Sequence, residues 1–189
     1  MILPTFRRGH HNRNIHALYG MIVAQARLPV FYTVYGVPDT VEGRFELIVL
    51  HLVLLLSRLG RRNGTAASSI RGKGRTVGQQ LFDAFCRDLD DNLREMGVGD
   101  LAVPRQMRRF GEAFYGRQAA YHAALAAADG RELEKVLARN IFGVTGVDVR
   151  TARLARYAGA AARLLDAETE DALTAGKAVF PAPEAFAHA

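Results

Sequence analysis

The scarcest features of this 189-residue chain exclude the most. It has one cysteine, Cys86. That rules out an internal disulfide framework and a cysteine-cluster metal site, fits a reducing compartment, and leaves stability to packing. Long apolar runs are missing as well. The longest is Leu47 to Leu56, ten residues interrupted by His51, whereas a membrane span needs about 20. No transmembrane helix is therefore expected. The opening stretch MILPTFRRGHHNRN carries arginines and no acid but lacks the apolar core of a secretory signal. Lysine is rare: Lys73, Lys135 and Lys177 are the only ones among 25 basic residues, so arginine carries the positive charge. No stretch alternates apolar and polar residues as a strand would, and no internal repeat appears, which leaves an all-α, single-domain bundle of about six or seven helices.

What is present is charge, unevenly spread. The net charge is +6, with a pI near 9.9, pointing to an anionic partner: nucleic acid, a ribosome or an acidic membrane face. Residues 1–38 hold Arg7, Arg8, Arg13 and Arg27 without an acid, and residues 61–75 hold Arg61, Arg62, Arg71, Lys73 and Arg75, again without one. Residues 76–100 carry six acids against Arg87 and Arg94, and residues 166–189 are also acidic. Such polarity orients a protein against a partner better than an even coat does.

Apolar spacing predicts the helices. Ile15, Leu18, Tyr19, Ile22, Val23 and Ala26 mark a first helix ending near Pro29, preceded by a basic segment over 1–14. The stretch LPVFYTVYGVPD reads as an ordered apolar connection. Asp39 is expected to cap the second helix, with Glu42 as capping-box partner. From Phe45 to Leu59 that helix is apolar nearly all round, the pattern of a helix at the centre of a bundle. Residues 60–75 read as a mobile surface loop. Val77, Leu81, Phe85, Leu89, Leu93 and Met96 mark a third helix, stopped by a left-handed Gly97. Pro104 suits the first turn of a fourth. A shorter helix runs to about Phe142, and Asp148 caps a sixth, whose Arg150, Arg153, Arg156 and Arg163 lie opposite Leu154, Ala158, Ala161 and Leu165. The helical domain is expected over 15–175. The Ala- and Pro-rich residues 176–189 form a separate tail with a composition compatible with disorder.

Few residues suggest chemistry. Asp88, Asp90 and Asp91 do not all converge from one helix and read as a solvated face. His51 has only leucines at helical spacing, the setting of a hydrogen-bonded core histidine rather than a ligand. Cys86 reads as packing, and His10, His11 and His16 as at most an adventitious metal site. RGKGRTVG lacks P-loop spacing. No nucleophile, base and oxyanion site assemble, so no catalytic residue, metal or cofactor is expected.

Four motifs carry more. YGMIVAQARLPVFYTVYGVPDTVEGRFELIVLH (Tyr19 to His51), LREMGVGDLAV (Leu93 to Val103), AFYGR (Ala113 to Arg117) and RNIFG (Arg139 to Gly143) follow in this order. In them the chain resembles the ubiquinol–cytochrome c chaperone family, helical assembly factors of respiratory complex III. The resemblance implies a non-enzymatic role: binding newly made cytochrome b at the membrane surface and promoting assembly of the cytochrome bc complex. Mitochondrial relatives work with a small partner subunit near the ribosomal tunnel exit. Without the long N-terminal targeting extension of those relatives the chain looks like a bacterial member, and the expected location is cytoplasmic and peripheral to the inner membrane, or mitochondrial if the source is eukaryotic. A chaperone for a membrane protein needs an apolar contact surface and a basic face for anionic lipid. The expected client surface is Phe31, Tyr32, Val34, Tyr35 and Val37. The expected membrane- or ribosome-facing cations are Arg7, Arg8, Arg13, Arg61, Arg62, Arg71, Lys73 and Arg75, with Ile2, Leu3 and Phe6 as insertion candidates. The alternative is an RNA- or ribosome-binding helical module; DNA is not an expected partner.

Overall fold

The computed structural model describes residues 5–60, 73–127 and 129–187, with side chains from residues 13 and 77 onward in the first two stretches. Its regular structure, among the described residues, is entirely helical: α1 (Thr5–Ala26), α2 (Val30–Thr33), α3 (Val41–Gly60), α4 (Lys73–Glu95), α5 (Val103–Ala126), α6 (Arg131–Leu137), α7 (Val149–Ala167) and α8 (Glu170–Thr174). A π-helical turn, Ala138–Phe142, extends α6, and a 3₁₀ turn covers Pro183–Phe186.

Helix α3 is the axis of the bundle, as its all-round apolar pattern predicts. It packs against α1, α4, α5 and α7, and Leu47, Val49, Leu50, Leu52, Val53, Leu54, Leu55 and Leu59 are buried on every side of it. Each such side chain contributes about 1.5–3 kcal/mol by leaving water. The inner faces of the neighbours follow the spacing read from the sequence: Ile15, Leu18 and Ile22 on α1, Val77, Leu81 and Phe85 on α4, Leu154, Ala158, Ala161 and Leu165 on α7.

The helix ends show where local chemistry was legible and where it was not. Gly97, with φ of +81°, ends α4. The Gly97 amide donates to the Arg94 carbonyl and the Val98 amide to that of Leu93, the paired bonds of a Schellman stop. Asp148 caps α7 as expected, accepting the Arg150 and Thr151 amides, while the Thr151 hydroxyl accepts the Asp148 amide. Asp39 does not cap α3. Thr40 does, its hydroxyl accepting the Gly43 amide at 3.1 Å, and Asp39 pairs in the open with Arg44. Gly43 itself lies so close under Pro38 that a Cβ would stand 2.0 Å from the Pro38 carbonyl oxygen, so this turn admits only glycine there.

Three boundaries differ from expectation. Helix α1 begins at Thr5, ten residues before Ile15, where the apolar spacing starts, because periodicity marks a packed face rather than the start of a helix. Helix α4 begins at Lys73, so the backbone of Lys73 and Arg75 is helical; the rest of the predicted loop, 61–72, lies outside the described residues. Residues 176–187 lie against the core, with Ala178, Pro183 and Ala187 buried. The Tyr35 hydroxyl donates to the Pro183 carbonyl at 2.7 Å and the Gln25 amide to that of Pro181 at 3.1 Å. Small apolar residues and two phenylalanines make this segment a strap across α2 and α7.

Candidate docking face around the α2 turn

The predicted client surface divides in two. Phe31, Tyr35 and Val37 point inward and are at most 2% exposed. The Phe31 ring meets Tyr157 edge-on at 5.0 Å, lies 5.2 Å from Tyr35, and reaches His51 at 5.6 Å. These aromatics seal the core under the α2 turn. Tyr32 is half-buried, donating its hydroxyl to the Ala26 carbonyl at 2.7 Å, and Val34 is 37% exposed. One turn of helix separates the inward residues from the outward pair, which apolar composition could not do.

Beneath this face lies a buried polar chain. His51 is wholly enclosed, with Nδ1 2.7 Å from the Leu47 carbonyl and Nε2 2.7 Å from the Tyr157 hydroxyl. A carbonyl only accepts, so Nδ1 carries the proton and Nε2 accepts from Tyr157. The Tyr157 oxygen in turn accepts from Gln25 Nε2 at 3.0 Å. Every polar group in the chain is satisfied with a neutral imidazole, and burial drives the His51 pKa down to about 4. His51 is therefore the hydrogen-bonded core histidine that the sequence suggested.

Outside, the α2 turn joins a second segment. The Arg150 side chain lies against Gly36, where a Cβ would stand 2.9 Å from its Cδ. Arg150 also spans the Phe142 ring at 5.1 Å and pairs with Asp148 at 2.7 Å. Arg153 donates to the Val34 carbonyl at 2.5 Å and stands 5.9 Å from the Tyr35 ring. Four valines of these segments are exposed: Val34, whose carbonyl Arg153 holds, by 37%, Val149, next to Arg150 in the chain, by 64%, and Val144 and Val147, between Phe142 and Asp148, by 38% and 51%. The sequence had placed Arg150 and Arg153 on an outer helix face. It held no sign that they would bridge α7 to the α2 turn, because that proximity is tertiary.

A second buried contact escaped the sequence altogether. Glu46 on α3 accepts a forked pair of bonds from Arg117 on α5, through Nε at 2.7 Å and through Nη2. Burial raises the Glu46 pKa above its ordinary value even against the Arg117 charge, while Glu46 raises that of Arg117. Both residues fall inside the quoted motifs EGRFELIVLH and AFYGR, the signal that could have paired them. Arg58, buried on α3, donates to the Leu165 and Glu168 carbonyls and so caps the end of α7.

Of the expected basic residues, Arg13 is exposed on α1. The side chains of Arg7, Arg8, Lys73 and Arg75, all of Arg61, Arg62 and Arg71, and residues Ile2 and Leu3 lie outside the described residues, as does the Phe6 side chain. Asp88 accepts a bond from the Tyr19 hydroxyl at 2.7 Å. Cys86 is half-buried with its pKa raised by that burial. Among the described residues no group of three or more His, Cys, Asp or Glu is placed to hold a metal ion, and no helix is long and apolar enough to cross a membrane.

The described residues thus form an all-helical scaffold with an aromatic core sealed under the α2 turn, and with Arg150 and Arg153 bridging α7 to that turn. The chain belongs to the ubiquinol-cytochrome C chaperone family, whose model matches residues 33–180. Among solved structures it is similar to the crystal structure of the Cbp3 homolog from Brucella abortus, with a TM-score of 0.84 and 34% identity over 97% of this chain and 98% of that one. No curated protein matches it.

Proposed function

We propose that the protein is an assembly chaperone of respiratory complex III that binds newly made cytochrome b at the surface of the membrane and acts by binding rather than by catalysis. The family match over residues 33–180 carries this reading. The exposed Val34, Val144, Val147 and Val149, on the two segments that Arg150 and Arg153 hold together, support it: they offer apolar area to an unassembled partner beside groups that pair with carboxylates or phosphates. Of the five residues expected to face the client, Tyr32 and Val34 are the ones a partner reaches; Phe31, Tyr35 and Val37 support them from below. The N-terminal arginines Arg7, Arg8 and Arg13, with Arg61, Arg62, Arg71, Lys73 and Arg75, hold the protein to anionic lipid from the cytoplasmic side.

Site-specific photocrosslinking from Val34 and Val147 during synthesis of cytochrome b tests this. Capture of cytochrome b is expected from both positions. Capture of ribosomal components alone would replace the reading with a ribosome-binding module, and capture of neither would refute the docking face.

A further inference from the structure

Next to the α2 turn is a cavity of about 340 Å³ lined by Arg27, Pro29, Tyr32, Thr33, Asp39 and Arg44. Two guanidiniums from different elements, the end of α1 and the first turns of α3, converge on one concavity. Arg44 gives its Nε to Asp39 at 2.6 Å, which leaves its terminal amines for another acceptor. Arg27 is exposed and has no carboxylate within ion-pair distance among the described residues. The hydroxyls of Tyr32 and Thr33 are committed as donors to the Ala26 and Pro29 carbonyls. Donor capacity in the cavity is therefore supplied by arginine, opposed by Asp39 inside it.

We propose that this cavity is a phosphate site whose ligand is the headgroup of an anionic lipid. A phosphate presents several acceptor oxygens in a tetrahedral arrangement and can bridge two guanidinium forks at once. The surroundings favour lipid as its source: Pro29 lines the cavity exposed, and Val41, two residues beyond Asp39, is 70% exposed. A headgroup in the cavity would bring acyl chains against these residues. Arg13 stands fourteen residues before Arg27 on α1, close to four full turns, so both occupy one side of that helix. His16, Ala17, Gly20 and Ala24 between them are also exposed, and this side of α1 lies flat on the membrane when the cavity is filled. The proposal rests on the membrane-surface reading above and specifies its lipid contact.

Cosedimentation with vesicles of phosphatidylcholine, with and without phosphatidylglycerol, tests it. Arg27→Gln and Arg44→Gln should each weaken binding to the phosphatidylglycerol vesicles about fivefold, and Asp39→Asn, which frees Arg44, should tighten it. Arg131→Gln, an exposed arginine on α6 outside the cavity, should change binding less than twofold. Equal losses for Arg27→Gln and Arg131→Gln would overturn the site, leaving only net charge. Inorganic phosphate at matched ionic strength should not displace the protein; displacement dependent on Arg27 would make free phosphate the source in place of lipid. If the wild-type protein ignores anionic vesicles, the membrane-surface reading fails and the lipid site with it. If it binds them and both arginine variants bind equally well, the site fails and the reading stands.

Discussion

Glu46 and His51 sit five residues apart on α3, and both are buried, yet their surroundings solve opposite problems. His51 stays neutral: its Nδ1–H donates to a carbonyl and a tyrosine hydroxyl donates to its free nitrogen, so burial removes no charge from water. Glu46 faces Arg117 through two bonds, and burial works against its charge. A neutral chain of hydrogen bonds is stable wherever its donors and acceptors are complementary, whereas a buried ion pair holds only while both partners remain. The same helix thus contains one polar site that tolerates its apolar surroundings and one that depends on a single partner.

The largest effect comes from breaking the dependent site. Arg117→Ala leaves Glu46 buried without its cation and should cost about 3 kcal/mol, the lower part of the range for such pairs because Arg117 keeps a quarter of its side chain in solvent. Urea denaturation measures it. The double variant Glu46→Leu with Arg117→Met should recover most of the loss, since no charge is then buried; failure to recover would mean the pair is required for more than its own neutralisation.

Acid separates the two sites by sign. The His51 pKa lies near 4 in the folded protein against 6.5 in the free side chain. Between those values the unfolded chain takes up a proton that the folded one refuses, so stability falls as the pH drops, by about 3 kcal/mol over the window. Glu46 does the reverse: its folded pKa is raised, so just above its ordinary value acid favours the folded state. His51→Asn should flatten the decline between pH 6.5 and 4 relative to wild type. An unchanged slope in denaturation midpoints across that range would remove His51 as its source.

Smaller effects probe the supports. Tyr157→Phe deprives His51 Nε2 of its donor and Gln25 of one of its two acceptors, and should cost about 1–3 kcal/mol. Thr40→Ala removes the cap that replaces Asp39 and should cost about 1 kcal/mol, while Asp39→Ala, whose pair with Arg44 is solvent-exposed, should cost less than half of that. The order of these last two in thermal unfolding distinguishes a Thr40 cap from an Asp39 cap.

Much of the fold was legible because it depends on local spacing. The face of α7 with Leu154, Ala158, Ala161 and Leu165, the Gly97 stop and the Asp148 cap each follow from residues within a turn or two of one another. The Asp39 cap failed because the neighbouring Thr40 hydroxyl takes the Gly43 amide while Asp39 pairs with Arg44, a choice between adjacent capping side chains that depends on the backbone path. The aromatic connection was legible as ordered, but not which of its residues turn inward: Phe31 and Tyr35 have core partners on α7 and α3, Tyr157 and His51, more than a dozen residues away. The bridge from Arg150 and Arg153 to the α2 turn was invisible for the same reason, since Gly36 and Val34 lie more than a hundred residues before them.

The sequence by itself determined the helical class, the central place of α3 and the family, because periodicity and contiguous motifs are properties of neighbouring residues. Tertiary structure alone decided the partner of Glu46, the neutral state of His51, the course of residues 176–187 and the convergence of Arg27 with Arg44. Each of these is set by groups distant along the chain meeting at hydrogen-bonding or ion-pairing range, where burial and electrostatics change over a few ångströms.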